Sequence, residues 1–157
     1  MKSSLYILFS GMVVLLAACT NSPKNTSLIN DGASLPQSLN FSRFGFHVIN
    51  SSLNKKLGTM STLYGNELAL KTIRTGTNTA VPGEIFALVT WTQKPDDHWF
   101  GAKIPLSVQS LEYLKIAPTG NVSYQKLEGK NLVLNTDTLH NEDRIKYILS
   151  QKASVMP

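Results

Sequence analysis

The stretch from Glu84 to Thr92 constrains the fold more than any other part of the chain. In an extended backbone, Ile85, Ala87, Val89 and Trp91 line one face, and Phe86 and Leu88 line the other. A strand that is apolar on both sides has to be covered on both sides, so it belongs at the centre of a sheet. Val81-Pro82-Gly83 immediately before it reads as the turn that starts it.

The rest of the domain is read around this strand. Phe44, Phe46 and Val48 alternate with Arg43, Gly45 and His47, which predicts a half-buried strand with the first three inward. Asn50 to Lys56 reads as a polar turn. Alternation resumes from Thr59 to Tyr64, with Met60 and Tyr64 on one side. Asn66 is placed to cap a short helix, with Glu67 at its positive end, Lys71 and Arg74 at its negative end, and Gly76 as its stop. Leu70 and Ile73 would face the core. Leu111 to Ile116 predicts a further strand ended by Pro118, and Val122–Leu127 with Leu132–Leu134 predicts a hairpin around Glu128-Gly129-Lys130. A last helix runs from about Glu142 to Lys152, capped by Asn141, with Ile145, Ile148 and Leu149 at the spacing of a docked face. Short turns between neighbouring strands favour an α+β class: an antiparallel sheet, a short helix after the second strand and a C-terminal helix.

The beginning of the chain has a different character. Lys2 precedes an uncharged, mostly apolar run from Leu5 to Ala18, the length of a signal-peptide core and short of the roughly 20 residues that span a bilayer. It ends Leu16-Ala17-Ala18-Cys19, small residues directly before a cysteine. This matches the lipobox of bacterial lipoproteins, in which the cysteine becomes the lipid-modified first residue of the mature chain. Residues 1–18 then form the signal, and Cys19 attaches the protein to a membrane through several acyl chains. Thr20 stands where an aspartate commonly retains lipoproteins at the inner membrane, so the expected site is the outer membrane, facing the periplasm. Residues 19–39, rich in Asn, Ser, Thr, Gly and Pro, read as a flexible tether, and 40–157 as the folded domain.

Cys19 is the only cysteine. The domain therefore has no thiol for a disulfide, a zinc site or a nucleophile, and must be held by its core. With Lys2 set aside, 14 basic residues face 10 acidic ones. The lysines are scattered and no basic stripe alternates with aromatics, so nucleic acid is not an expected partner.

Several phrases occur together: Gly58-Thr59-Met60-Ser61-Thr62-Leu63-Tyr64-Gly65-Asn66 before the short helix, Val81-Pro82-Gly83-Glu84-Ile85-Phe86-Ala87 leading the central strand, and Asp97-His98-Trp99-Phe100-Gly101-Ala102 after it. In this order they resemble the cytochrome P-460 domain family, over about residues 40–157. Founding members of that family are periplasmic c-type cytochromes that oxidise hydroxylamine. They hold haem through a C-x-x-C-H motif and a lysine cross-link in a largely β domain that dimerises. Here no C-x-x-C-H can exist. The resemblance thus implies the fold, the compartment, a pocket and a homodimer, without covalent haem.

Three histidines could serve as ligands or bases. His47 reads as an exposed or partnered strand residue. His98 follows Asp96-Asp97 and precedes Trp99-Phe100, so carboxylates, an imidazole and aromatic walls lie within a few residues. His140 stands before the last helix. His98 or His140 would be the axial ligand of a haem held without a covalent bond. Tyr64, Asp97, His98, Trp99 and His140 are therefore the candidate pocket residues. No G-x-S-x-G elbow, phosphate loop, H-E-x-x-H or dinucleotide fingerprint is present. Three function classes stay open: a small-ligand or partner-binding envelope protein, an oxidoreductase with non-covalent haem or metal, and an assembly lipoprotein docked to another envelope protein.

Overall fold

The computed structural model describes residues 29–76 and 79–154. The signal segment, Cys19 and residues 20–28 of the expected tether lie outside the described residues. Six strands form one antiparallel sheet in chain order: β1 (His47–Asn54), β2 (Thr59–Gly65), β3 (Ile85–Pro95), β4 (Lys103–Ile116), β5 (Val122–Glu128) and β6 (Val133–Asn135). A short helix, α1 (Glu67–Arg74), joins β2 to β3, and α2 (Asn141–Leu149) follows β6. The chain is an α+β protein built on an antiparallel meander. No helix among the described residues is long and apolar enough to cross a membrane.

β3 occupies the position its two-sided pattern demands, paired with β2 along one edge and β4 along the other. Phe86 and Leu88 join Ile49, Leu63, Leu114 and Ile116 in a core that receives Leu70 of α1 and Ile148 of α2. Ala87, Val89 and Trp91 point the other way, into a second core with Phe41, Val108 and Leu111. The sheet is thus covered by helices on one face and by the N-terminal segment on the other.

That second cover changes the extent of the tether expected from composition. Residues 30–39 lie against the sheet. Ala33, Leu35 and Leu39 pack on the second core, Trp91 donates its indole N–H to the Ala33 carbonyl at 2.8 Å, and the Val108 amide bonds to the Gly32 carbonyl. Three spaced apolar side chains in a polar segment suffice to dock it, because the Val89/Trp91 face has no helix to cover it.

β1 also departs from its expected pattern. Its buried residue is Ile49, while Phe44 and Val48 are exposed. The pairing with β2 shifts register between Val48 and Asn50, so a bulge at Ile49 turns the strand over. Asn50 to Asn54, read as a turn, continue the strand, and β4 begins eight residues before Leu111, at Lys103.

α1 follows its sequence signals. The Asn66 side-chain oxygen accepts the Ala69 amide at 3.0 Å, and its amide group donates to the Gly83 carbonyl at 2.8 Å. One residue thereby caps the helix and fixes the turn into β3. α2 docks through Ile145, Ile148 and Leu149 as expected, but its N-cap is His140, in a left-handed conformation and without a side-chain cap bond, where Asn141 was expected.

Candidate functional site

The helix-side face of the sheet is apolar at the end covered by α1 and α2, and polar at the other. Strand alternation explains the change. β2 presents Thr59 and Ser61 before Leu63, β3 presents Leu88 and then Thr90, and β4 presents Ser110 and Glu112 before Leu114. These polar positions line two adjoining depressions of about 550 and 360 Å³, which share Leu57, Thr59, Thr90 and Arg144. The result is one groove, walled by the β1–β2 turn and by α2.

Glu112 lies at the inner end of this groove and is 2% exposed. A buried carboxylate needs partners for both oxygens. Arg144 of α2 supplies two parallel bonds, Nε to Oε2 at 2.8 Å and Nη2 to Oε1 at 2.7 Å. Tyr124 of β5 donates its hydroxyl to Oε2 at 2.7 Å. Burial, reinforced by the hydrogen bond and negative charge of Glu112, pushes the Tyr124 phenol far above its ordinary value. The Glu112 hydrogen bond raises Arg144 as well. Tyr124 therefore stays a neutral donor and Arg144 a fixed cation.

The guanidinium has five N–H donors and spends two of them on Glu112. Arg144 also lines the groove, and its Cζ lies over the Tyr147 ring, 4.6 Å from the centroid. Ser61 and Thr90 share a hydrogen bond at 3.1 Å on the floor, and each hydroxyl keeps further donor or acceptor capacity. Lys55, Lys126 and Arg144 line the groove together with Glu112 and Glu128, an excess of one positive charge. This arrangement can hold a small anion that also carries hydroxyl groups. It offers no histidine, and both oxygens of its buried acid are engaged, so it favours binding over proton transfer.

The residues singled out from sequence lie elsewhere, on separate elements. Asp97, His98 and Trp99 are exposed in the loop between β3 and β4. His140 is exposed ahead of α2, 3.6 Å from the Asp143 carboxylate. Tyr64 belongs to the opposite face of the sheet, its ring 4.8 Å from that of Phe41, and burial raises its phenol. His47 pairs with Glu67 at 3.1 Å, a partnered surface histidine as expected. Among the described residues, no three His, Cys, Asp or Glu side chains converge as a metal site would require.

That opposite face carries an apolar cavity of about 530 Å³, lined by Phe41, Phe44, Phe46, Leu111, Tyr113 and Leu127 among others. Its apolar walls would suit a haem, but neither His98 nor His140 lines it. The donors expected for haem and the apolar slot that would hold it are on different parts of the molecule, so the residues do not fit that group.

Glu112, Tyr124 and Arg144 were not singled out as a group from the sequence. One signal was available: Glu112 shares its strand face with Leu114 and Ile116, so it had to point inward and needed a cation. Nothing in the spacing identified that cation as Arg144, 32 residues later.

No protein-family model matches the chain, and no curated protein matches it. The likeness to cytochrome P-460 domains rests on the sequence phrases alone.

Proposed function

We propose that this chain is an envelope lipoprotein, attached through Cys19, whose domain binds a small anionic, hydroxyl-bearing ligand in the groove between α2 and the sheet. The attachment reading is supported by the charge, length, small residues and cysteine of the N-terminal segment. The binding reading is carried by one observation. Arg144 is held by two bonds to a buried carboxylate and lines a hydroxyl-bearing groove, with three of its five N–H donors not spent on Glu112. A preorganised guanidinium recognises carboxylate or phosphate with two parallel bonds and loses little freedom on binding. The cytochrome P-460-like ancestry belongs to the same proposal, with the scaffold reused and its redox chemistry given up.

The test is calorimetric titration of the protein with D-glucuronate and with inorganic phosphate, for the wild type and for Thr90→Val. This substitution keeps the volume of the floor residue and leaves Glu112 and Arg144 untouched. Saturable binding of glucuronate that weakens at least several-fold in T90V supports the proposal. Equal heats for wild type and T90V, or none at all, contradict it.

A further inference from the structure

The loop between β3 and β4 carries the most exposed aromatic pair among the described residues. Trp99 is 72% exposed and Phe100 is 110% exposed, more open than in an extended peptide. The exposure is built into the turn. The Ala102 amide bonds to the Trp99 carbonyl at 3.0 Å, and Gly101 takes the positive φ that such a turn needs at its third position. Asp96 is turned inward: its Oδ1 accepts the His98 amide at 2.8 Å, and its side chain is only 17% exposed. The acid is folded back while the two rings project.

The end of the described chain lies at the same end of the sheet. Asn30 donates its side-chain amide to the Pro105 carbonyl at 2.7 Å. Pro105 pairs with Gln93 across β3 and β4, and the Gln93 amide bonds to Gly58 in the β1–β2 turn. Asn30, Pro105, Gln93 and Gly58 thus share one level of the sheet. The β3–β4 hairpin continues beyond that level through Lys94 and Pro95 to the aromatic tip, about 10 Å further for three extended residues. The β1–β2 turn adds Leu57, 70% exposed, between Lys56 and Gly58.

We infer that this end of the domain is a membrane-contact surface, with Trp99 and Phe100 seated in the headgroup region of an anionic phospholipid bilayer. The inference rests on the reading of Cys19 as the anchor. Cys19 precedes Asn30 by eleven residues, which span at most about 40 Å. An anchor at Cys19 keeps this end of the domain within about 40 Å of the bilayer, and so makes the bilayer the occupant the rings can reach. Trp is the side chain suited to the polar–apolar boundary. Lys55, Lys56, Lys94 and Lys103 surround the aromatic tip and the β1–β2 turn, against Asp31, Asp96 and Asp97. Lys94 lies 4.0 Å from Asp97 and Asp96 is folded inward, so the outward charge is basic and suits anionic headgroups.

The experiment uses the processed full chain, purified from membranes and reconstituted into vesicles of phosphatidylcholine and phosphatidylglycerol, with and without bromine on the acyl chains. Mass spectrometry first establishes whether Cys19 is acylated. The chain has two tryptophans, and Trp91 is buried beneath Ala33. Wild-type emission is expected to be quenched by brominated lipid, and the quenched component is expected to vanish in Trp99→Phe, which keeps a ring at the position. Trp99→Ser/Phe100→Ser should also lower hydrogen-exchange protection of the loop on vesicles. Unquenched Trp99 in a chain with acylated Cys19 overturns the inference and leaves the anchor standing. A chain without acyl groups on Cys19 overturns both together.

Discussion

Arg144, on the last helix, and Glu112, on the longest strand, meet through two parallel hydrogen bonds of 2.8 and 2.7 Å, the only charge-paired contact that ties α2 to the sheet among the described residues. The two partners are unequal. The Glu112 side chain is 2% exposed and that of Arg144 is 37% exposed. Removing the arginine strands a carboxylate that water cannot reach, whereas removing the charge of the glutamate leaves an arginine that can turn to solvent. Arg144→Met should therefore destabilise the fold by about 3 kcal/mol, and Glu112→Gln by roughly half of that or less. Urea unfolding of the two variants checks the order; equal losses would contradict it.

Tyr124 gives the fold a stability that depends on alkaline pH. Its phenol is raised by burial first and then by Glu112. The unfolded chain releases this proton near pH 10, while the folded chain still holds it. Above that pH the folded state binds more protons, so stability is full below pH 10 and falls as pH rises beyond it. Tyr64 and Tyr113, also raised by burial, act in the same window. Denaturant melts across this range should show a shallower decline for Tyr124→Phe than for wild type. An unchanged decline would mean that Tyr124 titrates alike in both states.

Gly65 is required by space, with no positive φ involved. A Cβ added there would lie 2.6 Å from Ile49 Cδ1 and 2.9 Å from Ala69 Cβ. Gly65→Ala should cost about 1–3 kcal/mol through this overpacking. Ile49→Val removes the nearer atom, so the double variant should recover part of the loss beyond simple addition, as contacting residues do. Strict additivity in thermal or urea unfolding would sink the explanation.

The N-terminal segment contributes to folding. Deleting residues 20–39 exposes the face holding Val89 and Trp91, removes the packing of Ala33, Leu35 and Leu39, and breaks the indole bond to Ala33. At about 0.8 kcal/mol per buried methylene, the loss should exceed roughly 2 kcal/mol. The Trp91 emission should also shift to the red. A truncated chain as stable as the full one would show that this segment only passes over the sheet.

Much of the fold was legible because its signals are local. Two-sided β3, the Asn66 cap, the Gly76 stop and the β5–β6 hairpin each follow from a few neighbouring residues. The errors lie where tertiary contact overrides pattern. A bulge exchanged Val48 for Ile49, and three apolar residues in a polar segment were enough to dock residues 30–39. The groove was less legible still. Its hydroxyls at Thr59, Ser61 and Thr90 are ordinary strand residues until antiparallel pairing sets them side by side. Histidines and aromatics drew attention to the β3–β4 loop, whereas the rigid charged group came from a glutamate and an arginine far apart in sequence.

Binding of a small hydroxyl-bearing anion beside Arg144 can be read residue by residue from amide chemical shifts of the ¹⁵N-labelled protein titrated with D-glucuronate. Saturable shifts are expected to concentrate at Ser61, Thr90 and Arg144, and to be lost in Thr90→Val. Shifts confined to the apolar cavity around Phe41 and Tyr113, or no saturable shifts, would contradict it.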